Sequence, residues 1–219
     1  MIMKRGIASV RTIVVLSVLM LLPCTTGCGL FVNLYHAFSG GELVPARFEG
    51  LKGKRVAVVC VSTTNTYGPT SIPEVLAKHL AARLSREVSK IDVVHPNEIA
   101  DWIDTNDWDQ INYKDVGRGV EADIVVAIDL SQTTTIEGQQ LYQGRASYTV
   151  KVFDMANNGD MVYHHKEPEF MFPRSGQHST GTTESRFRAA FVDVLAHTIA
   201  KDFYPYELAE DYGQDAKIQ

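Results

Sequence analysis

Two short and nearly unbroken apolar runs constrain the fold of this 219-residue chain more than any other feature. They read RVAVVCV at 55–61 and DIVVAIDL at 123–130. A strand with one face in water alternates apolar and polar residues, whereas a strand covered on both faces can be apolar throughout. The first run therefore predicts a strand that is buried on both faces, and the second predicts another strand of the same sheet.

The segment between these runs has helical spacing. Ser71-Ile-Pro-Glu74 resembles a capping box with a proline in the first turn, and it predicts a helix that continues to about Val88. Its apolar face is a series of leucines spaced by four residues: Leu76, Leu80 and Leu84. A short strand at 91–94, a helix opened by Pro96 and a short helix near 115–120 follow. Because helices connect them, the first three strands are expected to be parallel.

A hairpin and a long helix complete the predicted fold. Residues 144–155 alternate, Asn157-Asn-Gly-Asp160 is a turn sequence that tolerates positive φ, and 161–165 returns as a strand. A helix is expected over 183–204, where Pro205 would end it. The expected architecture is α/β: a single domain with a mixed sheet of about five strands, three parallel plus an antiparallel hairpin, and helices packed on it.

The amino terminus has the pattern of an export signal. Lys4, Arg5 and Arg11 form a positive region around the start of an apolar run at 12–22. Eleven residues are too few to cross a bilayer, which takes about 20, so a signal peptide is predicted instead of a membrane span.

The signal ends in a sequence that resembles a bacterial lipobox, Thr25-Thr-Gly-Cys28. In that family, lipoprotein signal peptidase cuts before a cysteine that becomes acylated. The small residues before Cys28 match the pattern, whereas Thr25 stands where leucine is usual. Cys24 is the alternative, although Pro23 directly before its cut departs further from the pattern. The resemblance implies lipidation at Cys28, a periplasm-facing anchor and, since Gly29 replaces the aspartate of inner-membrane retention, the outer membrane.

The expected organisation follows from these boundaries. It comprises a signal peptide (1–27), a lipid-anchored tether (28–54), a mixed α/β core (55–166), a loop (167–182) and a carboxyl-terminal helix with its tail (183–219). Removing the three basic residues of the signal from the 21 in the chain leaves 18 against 26 acidic residues, a net charge of −8. This acidic balance argues against nucleic acid as a partner.

Several core segments resemble the periplasmic superfamily that contains CsgG, LpoB and the amino-terminal domain of TolB. The similar segments are the strand RVAVVCV at 55–61, the helix VLAKHLAARL at 75–84, the strand-to-helix step IDVVHPNEI at 91–99, the strand EADIVVAIDL at 121–130 and the hairpin YTVKVFDMANNGDMVY at 148–163. The resemblance implies this fold, an envelope location and a non-catalytic role.

Three clusters of residues contain side chains that could bind a metal ion or act as a nucleophile, but each lacks a feature that such a site needs. His164-His165 point to opposite faces of a strand and cannot share a metal ion. The aspartates around Trp102 and Trp108 lack the glycine and glutamate of a calcium loop. Ser175, His178 and Ser179 share a loop that shows no rigid base or oxyanion site. No catalytic residue, metal or cofactor is therefore predicted, and the protein is not expected to be an enzyme.

Two partner-contact regions are predicted. The long loop carries Phe170, Phe172 and Arg174, residue types enriched at interfaces, although the phenylalanines could equally cap the sheet core. Trp102 on its helix is the second region. The leading hypothesis is a lipid-anchored adaptor or assembly factor that contacts envelope proteins, with homo-oligomerisation open. The alternative is a small-ligand-binding module near residues 62–65, at the carboxyl ends of the parallel strands, and a hydrolase is a distant third.

Overall fold

The computed structural model describes residues 43–62, 71–106, 112–135, 142–175, 179 and 181–208. The elements in chain order are β1 (Leu43–Val44), β2 (Arg55–Ser62), α1 (Ile72–Glu87), β3 (Asp92–Val93), α2 (Pro96–Thr105), α3 (Tyr113–Gly119), β4 (Ile124–Thr134), β5 (Gly144–Asp154), β6 (Asp160–Phe172), α4 (Glu184–Ala200) and β7 (Tyr206–Glu207). Cys24, Cys28, Trp108 and His178 lie outside the described residues.

Five strands form a mixed sheet in the order β3-β2-β4-β5-β6. β2 is parallel to both β3 and β4, while β4, β5 and β6 pair antiparallel in sequence. β1 and β7 form a separate antiparallel pair. The predicted α/β architecture, with three parallel strands and an antiparallel hairpin, is confirmed.

Helices cover the two faces of the sheet unequally. On one face, alternate residues of all the longer strands pack against α1 and α4, whose buried side chains include Leu76, Leu80, Phe187 and Phe191. On the other face, α2 and α3 pack mainly over β2 and β4, against Ala57, Val59 and Val125, and Phe153 of β5 borders this cluster. Because β2 and β4 are covered on both faces, their sequences are apolar without alternation.

The helix caps follow the sequence signals at their starts. Ser71 caps α1, and its Oγ accepts a hydrogen bond from the Glu74 amide at 3.5 Å. Thr183 caps α4 in the same way through the Arg186 amide. The predicted end of α4 was wrong, because the helix stops at Ala200 and not near Tyr204. Lys201 and Asp202 form a turn in which the Asp202 carbonyl accepts from the Phe48 amide at 2.8 Å, a contact outside the helix.

β6 is longer than the predicted fifth strand. It continues to Phe172, so the predicted loop at 167–182 begins at Pro173. A bulge opposite Ser147, whose Oγ donates to the Pro168 carbonyl at 2.6 Å, accommodates the proline within the strand. After the bulge, Phe170 and Phe172 again face the core.

The described part of the predicted tether is packed on the domain. Leu51 is fully buried, and the Phe48 ring lies 5.5 Å from the ring of Tyr163 and 6.3 Å from that of Phe203. Residues 43 and 44 pair with β7. Residues 43–54 therefore belong structurally to the domain, and a free tether can only precede Leu43.

Candidate functional site

A cavity of about 330 Å³ lies at the carboxyl end of β2, between α1 and α2. We call this cavity the β2 slot. Its floor is Val58 to Ser62 of β2, and its walls come from the first turns of α1 and from one side of α2. The slot exists because β3 is only two residues long. β3 pairs with Arg55 and Val56 of β2, and the chain then enters α2 at Pro96.

The hydrogen bonds around β2 show which backbone groups face the slot. The carbonyls of Lys54 and Val56 accept from the amides of Asp92 and Val94, each at 2.9 Å, on the β3 side. The carbonyl of Arg55 accepts from Asp123 on the β4 side. Backbone direction alternates along a strand, and the β2–β4 register is unbroken from 56 to 62. The amide and carbonyl of Cys60 therefore point into the slot.

The slot has apolar walls and an acidic border. Ala77 of α1 and Ile99, Ala100 and Ile103 of α2 supply the apolar surface. Glu74 and Asp104 are the titratable acids among its described lining residues, which include no lysine or arginine. Glu74 forms an ion pair with Lys78, whose Nζ lies 2.7 Å from Oε1 of Glu74. Since Lys78 already balances Glu74, Asp104 is the acid of the described lining that a positive charge would meet, and the slot would suit an apolar group that carries one such charge.

The thiol of Cys60 is an unreactive part of this site. Burial raises the pKa of the thiol, and the nearby Asp129 carboxylate raises it further. A thiol nucleophile needs the opposite, a lowered pKa beside positive charge. The raised pKa of Cys60 therefore gives no support for covalent catalysis at this site.

A second polar group surrounds Asp129, on the face of the sheet that carries α2 and α3. The Tyr113 hydroxyl donates to Oδ1 of Asp129, and Lys151 Nζ donates to Oδ2 at 2.7 Å. Burial raises the pKa of Tyr113, and the hydrogen bond to the carboxylate raises it further. The two donors satisfy both carboxylate oxygens of Asp129 with hydrogen bonds, so the cluster is a stabilising network between α3, β4 and β5.

A third group joins the amino-terminal segment to the domain, and we call it the Arg47 clamp. It consists of Arg47, His165 and Asp202. The Asp202 side chain is 6% exposed and contacts Arg47 at 3.3 Å and His165 Nδ1 at 2.8 Å. Arg47 Nη1 also lies 2.8 Å from His165 Nε2. Because a carboxylate only accepts, His165 donates from Nδ1 to Asp202, and Arg47 packs along the edge of the same ring.

The four predicted partner-contact residues differ in how far they are buried. Phe172 is fully buried and Phe170 is 5% exposed, with ring centroids 5.7 Å from Phe187 and 6.0 Å from Phe191 respectively. The two phenylalanines are core residues, because strand alternation turns them toward α4. Arg174 is exposed beside Thr198. Trp102 is half-buried against α3, where a side chain at Gly119 would meet its indole.

The clusters considered for metal or nucleophilic chemistry remain apart. His164 is exposed, while His165 is directed to the Arg47 clamp. Within the described ranges, no three His, Cys, Asp or Glu side chains lie close enough to hold a metal ion. No helix among the described residues is long and apolar enough to cross a membrane.

Sequence reasoning located the end of β2 but missed the slot itself. The missed signal was the length of β3. Pro96 follows the third strand closely, whereas β2 continues for six residues beyond its last pair with β3. The Arg47 clamp had no sequence signal, because its members are up to 155 positions apart.

No protein-family model and no curated protein matches the chain. Among solved structures, it is similar to the PelC dodecamer of Paraburkholderia phytofirmans, with 14% identity and a TM-score of 0.42, over 74% of this chain and 92% of that one. It is also similar to lipoprotein GNA1162 of Neisseria meningitidis, with 14% identity and a TM-score of 0.43, over 67% and 97%. A third similar structure is a minor lipoprotein of Acinetobacter baumannii, with 11% identity and a TM-score of 0.32, over 68% of this chain and 91% of that one.

Two of these three similar proteins are bacterial lipoproteins by name. Because all three TM-scores are below 0.5, the likeness carries no argument about function. The resemblance to the superfamily of CsgG, LpoB and TolB is not confirmed and stays a prediction.

Proposed function

We propose that this protein is a lipid-anchored lipoprotein of the bacterial envelope that acts as a non-catalytic adaptor or assembly factor. The observation that carries the proposal is the sequence of the first 28 residues, in which a basic region and a short apolar run end in Thr-Gly-Cys28. A lipid on Cys28 would hold the domain at a membrane, facing the periplasm, and the outer membrane is the expected one.

The described structure supports a binding role over a catalytic one. The titratable groups with strongly shifted pKa values are Cys60 and three tyrosines, Tyr113, Tyr148 and Tyr163, and burial is the largest cause of every shift. Each shift keeps the group protonated and neutral, whereas a general base or nucleophile must give up its proton near neutral pH.

Arg174 is, of the four predicted contact residues, the one whose side chain is exposed. It is exposed at the carboxyl end of β6, where the chain leaves the sheet. Arginine forms both ion pairs and stacking contacts, and it is enriched among residues that dominate binding energy at interfaces. A partner that contacts this end of the sheet would meet Arg174 without disturbing the phenylalanine core beside it.

Cross-linking in native membranes, followed by mass spectrometry, tests the proposal. We expect cross-links to one or a few other envelope proteins, and we expect Arg174→Ala to reduce them while the melting temperature stays within about 2 °C of the parent's. Arg186→Ala, at an exposed arginine of α4, is the matched control and should keep them. If Arg174→Ala keeps all the cross-links, Arg174 is not part of the interface, which must then lie on another surface. If the protein forms no cross-link to any other protein in native membranes, the adaptor role is wrong.

The alternative, a small-ligand-binding module, has one observation in its favour. The β2 slot lies at the carboxyl end of a parallel strand, between helices on opposite faces, where open α/β sheets bind ligands. A small molecule that co-purifies in stoichiometric amount, detected by native mass spectrometry, would favour this alternative.

A further inference from the structure

We propose that the β2 slot binds an extended peptide segment of a partner protein, which adds as a new strand to the edge of β2 at Val58 and Cys60. The inference deepens the proposed adaptor function, on which it rests for the existence of a partner. It names what that partner would present: an exposed, extended stretch of backbone.

The first argument is the part of the β2 edge that extends beyond β3, where no other described strand pairs with it. β2 has eight residues, and β3 pairs with the first two of them. The backbone groups of Cys60 point away from β4, toward the space that a longer β3 would fill. A strand edge with free amide and carbonyl groups is a template for another strand, and recognition through such an edge is a recurrent mode of peptide binding.

The second argument is the size of the slot. A strand rises about 3.3 Å per residue, so the edge from Val58 to Cys60 is about 7 Å long and matches two to three residues of an added strand. The cavity of about 330 Å³ lies directly beside this edge. The small side chains of Ala77 and Ala100, one on each wall, leave room between the helices.

The third argument is the chemistry of the walls, which selects the side chains of the segment. Alternate side chains of an added strand would face α1 and α2, where the surface is apolar and close, so small apolar residues fit there. Lys78 balances the charge of Glu74, whereas Asp104, also at the border of the slot, has no ion-pair partner among the described residues. A lysine or arginine at one end of the segment would meet this negative charge.

The other edge of the sheet is less suited to the same role. β6 carries Lys166 and Pro168 and contains register shifts against β5, which are features that discourage strand addition. On β2, by contrast, the register is regular to Ser62. Among the described strands, β2 is therefore the better template.

Amide hydrogen exchange by NMR on the full-length protein in detergent tests the edge directly. The amide of Cys60 should exchange at least tenfold faster than those of Val59 and Val61, which face β4 and serve as internal controls. If the Cys60 amide is as protected as its neighbours, the edge is already occupied and the proposal fails. That failure would leave the adaptor proposal standing, since native cross-linking tests the latter separately.

The second step uses a phage-displayed library of random heptapeptides, panned on the full-length protein. We expect enriched peptides with a basic residue beside small apolar ones, and slower exchange at Cys60 when the synthetic peptide is added. Ala100→Phe, at an exposed position of α2 that lines the slot, should weaken binding at least tenfold. Ala82→Phe, at an exposed position of α1 outside the slot, is the matched control and should bind normally.

A backbone-modified peptide separates strand addition from other binding. The same sequence with N-methyl groups at alternate residues keeps its side chains but loses half of its amide donors, and it should bind at least tenfold more weakly in one of the two methylation registers. Equal binding in both registers would overturn the proposal, as would a library that yields no peptide sensitive to Ala100→Phe. Binding of a small molecule without protection of the Cys60 amide would support the ligand-binding alternative instead.

Discussion

Asp202 determines how firmly the amino-terminal segment of the domain, residues 43–48, is held. Its buried carboxylate accepts from Arg47 and His165, and its backbone carbonyl accepts from the Phe48 amide. Hydrogen bonds that involve a charged group contribute about 1.5–3 kcal/mol, more than neutral ones. One residue at the turn after α4 thus attaches the chain that leads to the predicted lipid.

Asp202→Ala should release residues 43–48 locally without unfolding the domain. Loss of about 1.5 kcal/mol of local stability corresponds to a roughly tenfold larger open population, so trypsin should cleave after Arg47 about tenfold faster. Limited proteolysis with mass-spectrometric detection of the new amino terminus at Phe48 measures this rate. Asp193→Ala, which removes a carboxylate paired with Arg83 between α1 and α4, is the control. Equal rates for the two variants would show that the clamp contributes nothing.

Tyr113 should make the protein less stable in alkali. Its folded-state pKa is raised by burial and by Asp129, above a value of about 10 in the unfolded chain. The unfolded chain therefore loses the proton first, so the stabilisation is complete below about pH 10 and decreases as the pH rises further. Urea unfolding between pH 9 and 11 should give a decreasing free energy of unfolding, with a shallower decrease in Tyr113→Phe. Identical slopes would rule out Tyr113 as a source of the alkaline sensitivity.

At the scale of elements, the β5–β6 hairpin depends on a turn with two left-handed residues. Asn158 has φ 55° and Gly159 has φ 71°, and the Gly159 amide donates to the Asp154 carbonyl at 2.8 Å. The turn thereby fixes how β6 is aligned on β5. Asparagine and glycine are the residues that adopt this conformation most readily, which is why the turn could be predicted from the sequence.

Gly159→Val should lower the free energy of unfolding by about 1–2 kcal/mol, because a β-branched residue is disfavoured at positive φ. Gly181→Val is the matched control. Gly181 has no left-handed φ, and an added Cβ there would meet no atom within 4 Å, so a change within about 0.5 kcal/mol is expected. Urea denaturation midpoints of the two variants compare them. If Gly159→Val unfolds at the same midpoint as Gly181→Val, the turn does not control hairpin stability.

The sequence predicted the elements whose pattern is local, and it failed where tertiary contacts decide. The continuous apolar strands, the Ser71 cap and the Asn-Gly turn each carry a signal within a few residues. The extension of β6 past Pro168 does not, because it depends on a bulge and on the fit of Phe170 and Phe172 against α4. The end of α4 depends likewise on a contact with Phe48.

The candidate site shows the same limit. The order of helices and strands located it at the end of β2, near Ser62. Its shape results from the end of β3 pairing at Val56, which Pro96 signals in the sequence, and from the distance between α1 and α2, which has no sequence signature. The sequence could not decide whether Phe170 and Phe172 are buried or exposed, because that depends on how far β6 extends.

At the scale of the whole molecule, the described domain provides little that could bind a membrane. The mature chain would carry a net charge of −8, which opposes attraction to anionic lipid. Among the described residues, the exposed large apolar side chains are Leu43, Met161, Val162 and Leu208. Membrane association is therefore expected to depend on the lipid at Cys28, because several acyl chains on one cysteine anchor a protein firmly where a single chain does not.

Cys28→Ser should block processing and leave a larger precursor that retains residues 1–27, since the peptidase of the lipobox family cuts only before a cysteine that can be acylated. Intact-mass analysis of the membrane fraction measures the difference between precursor and mature protein. Cys24→Ser is the matched control, because it removes the competing cysteine and should leave processing unchanged. If Cys24→Ser accumulates precursor while Cys28→Ser is processed normally, the anchor lies at Cys24. If both variants are processed like the parent and the mature mass carries no acyl chains, the protein is secreted without a lipid, and the proposed anchor is wrong.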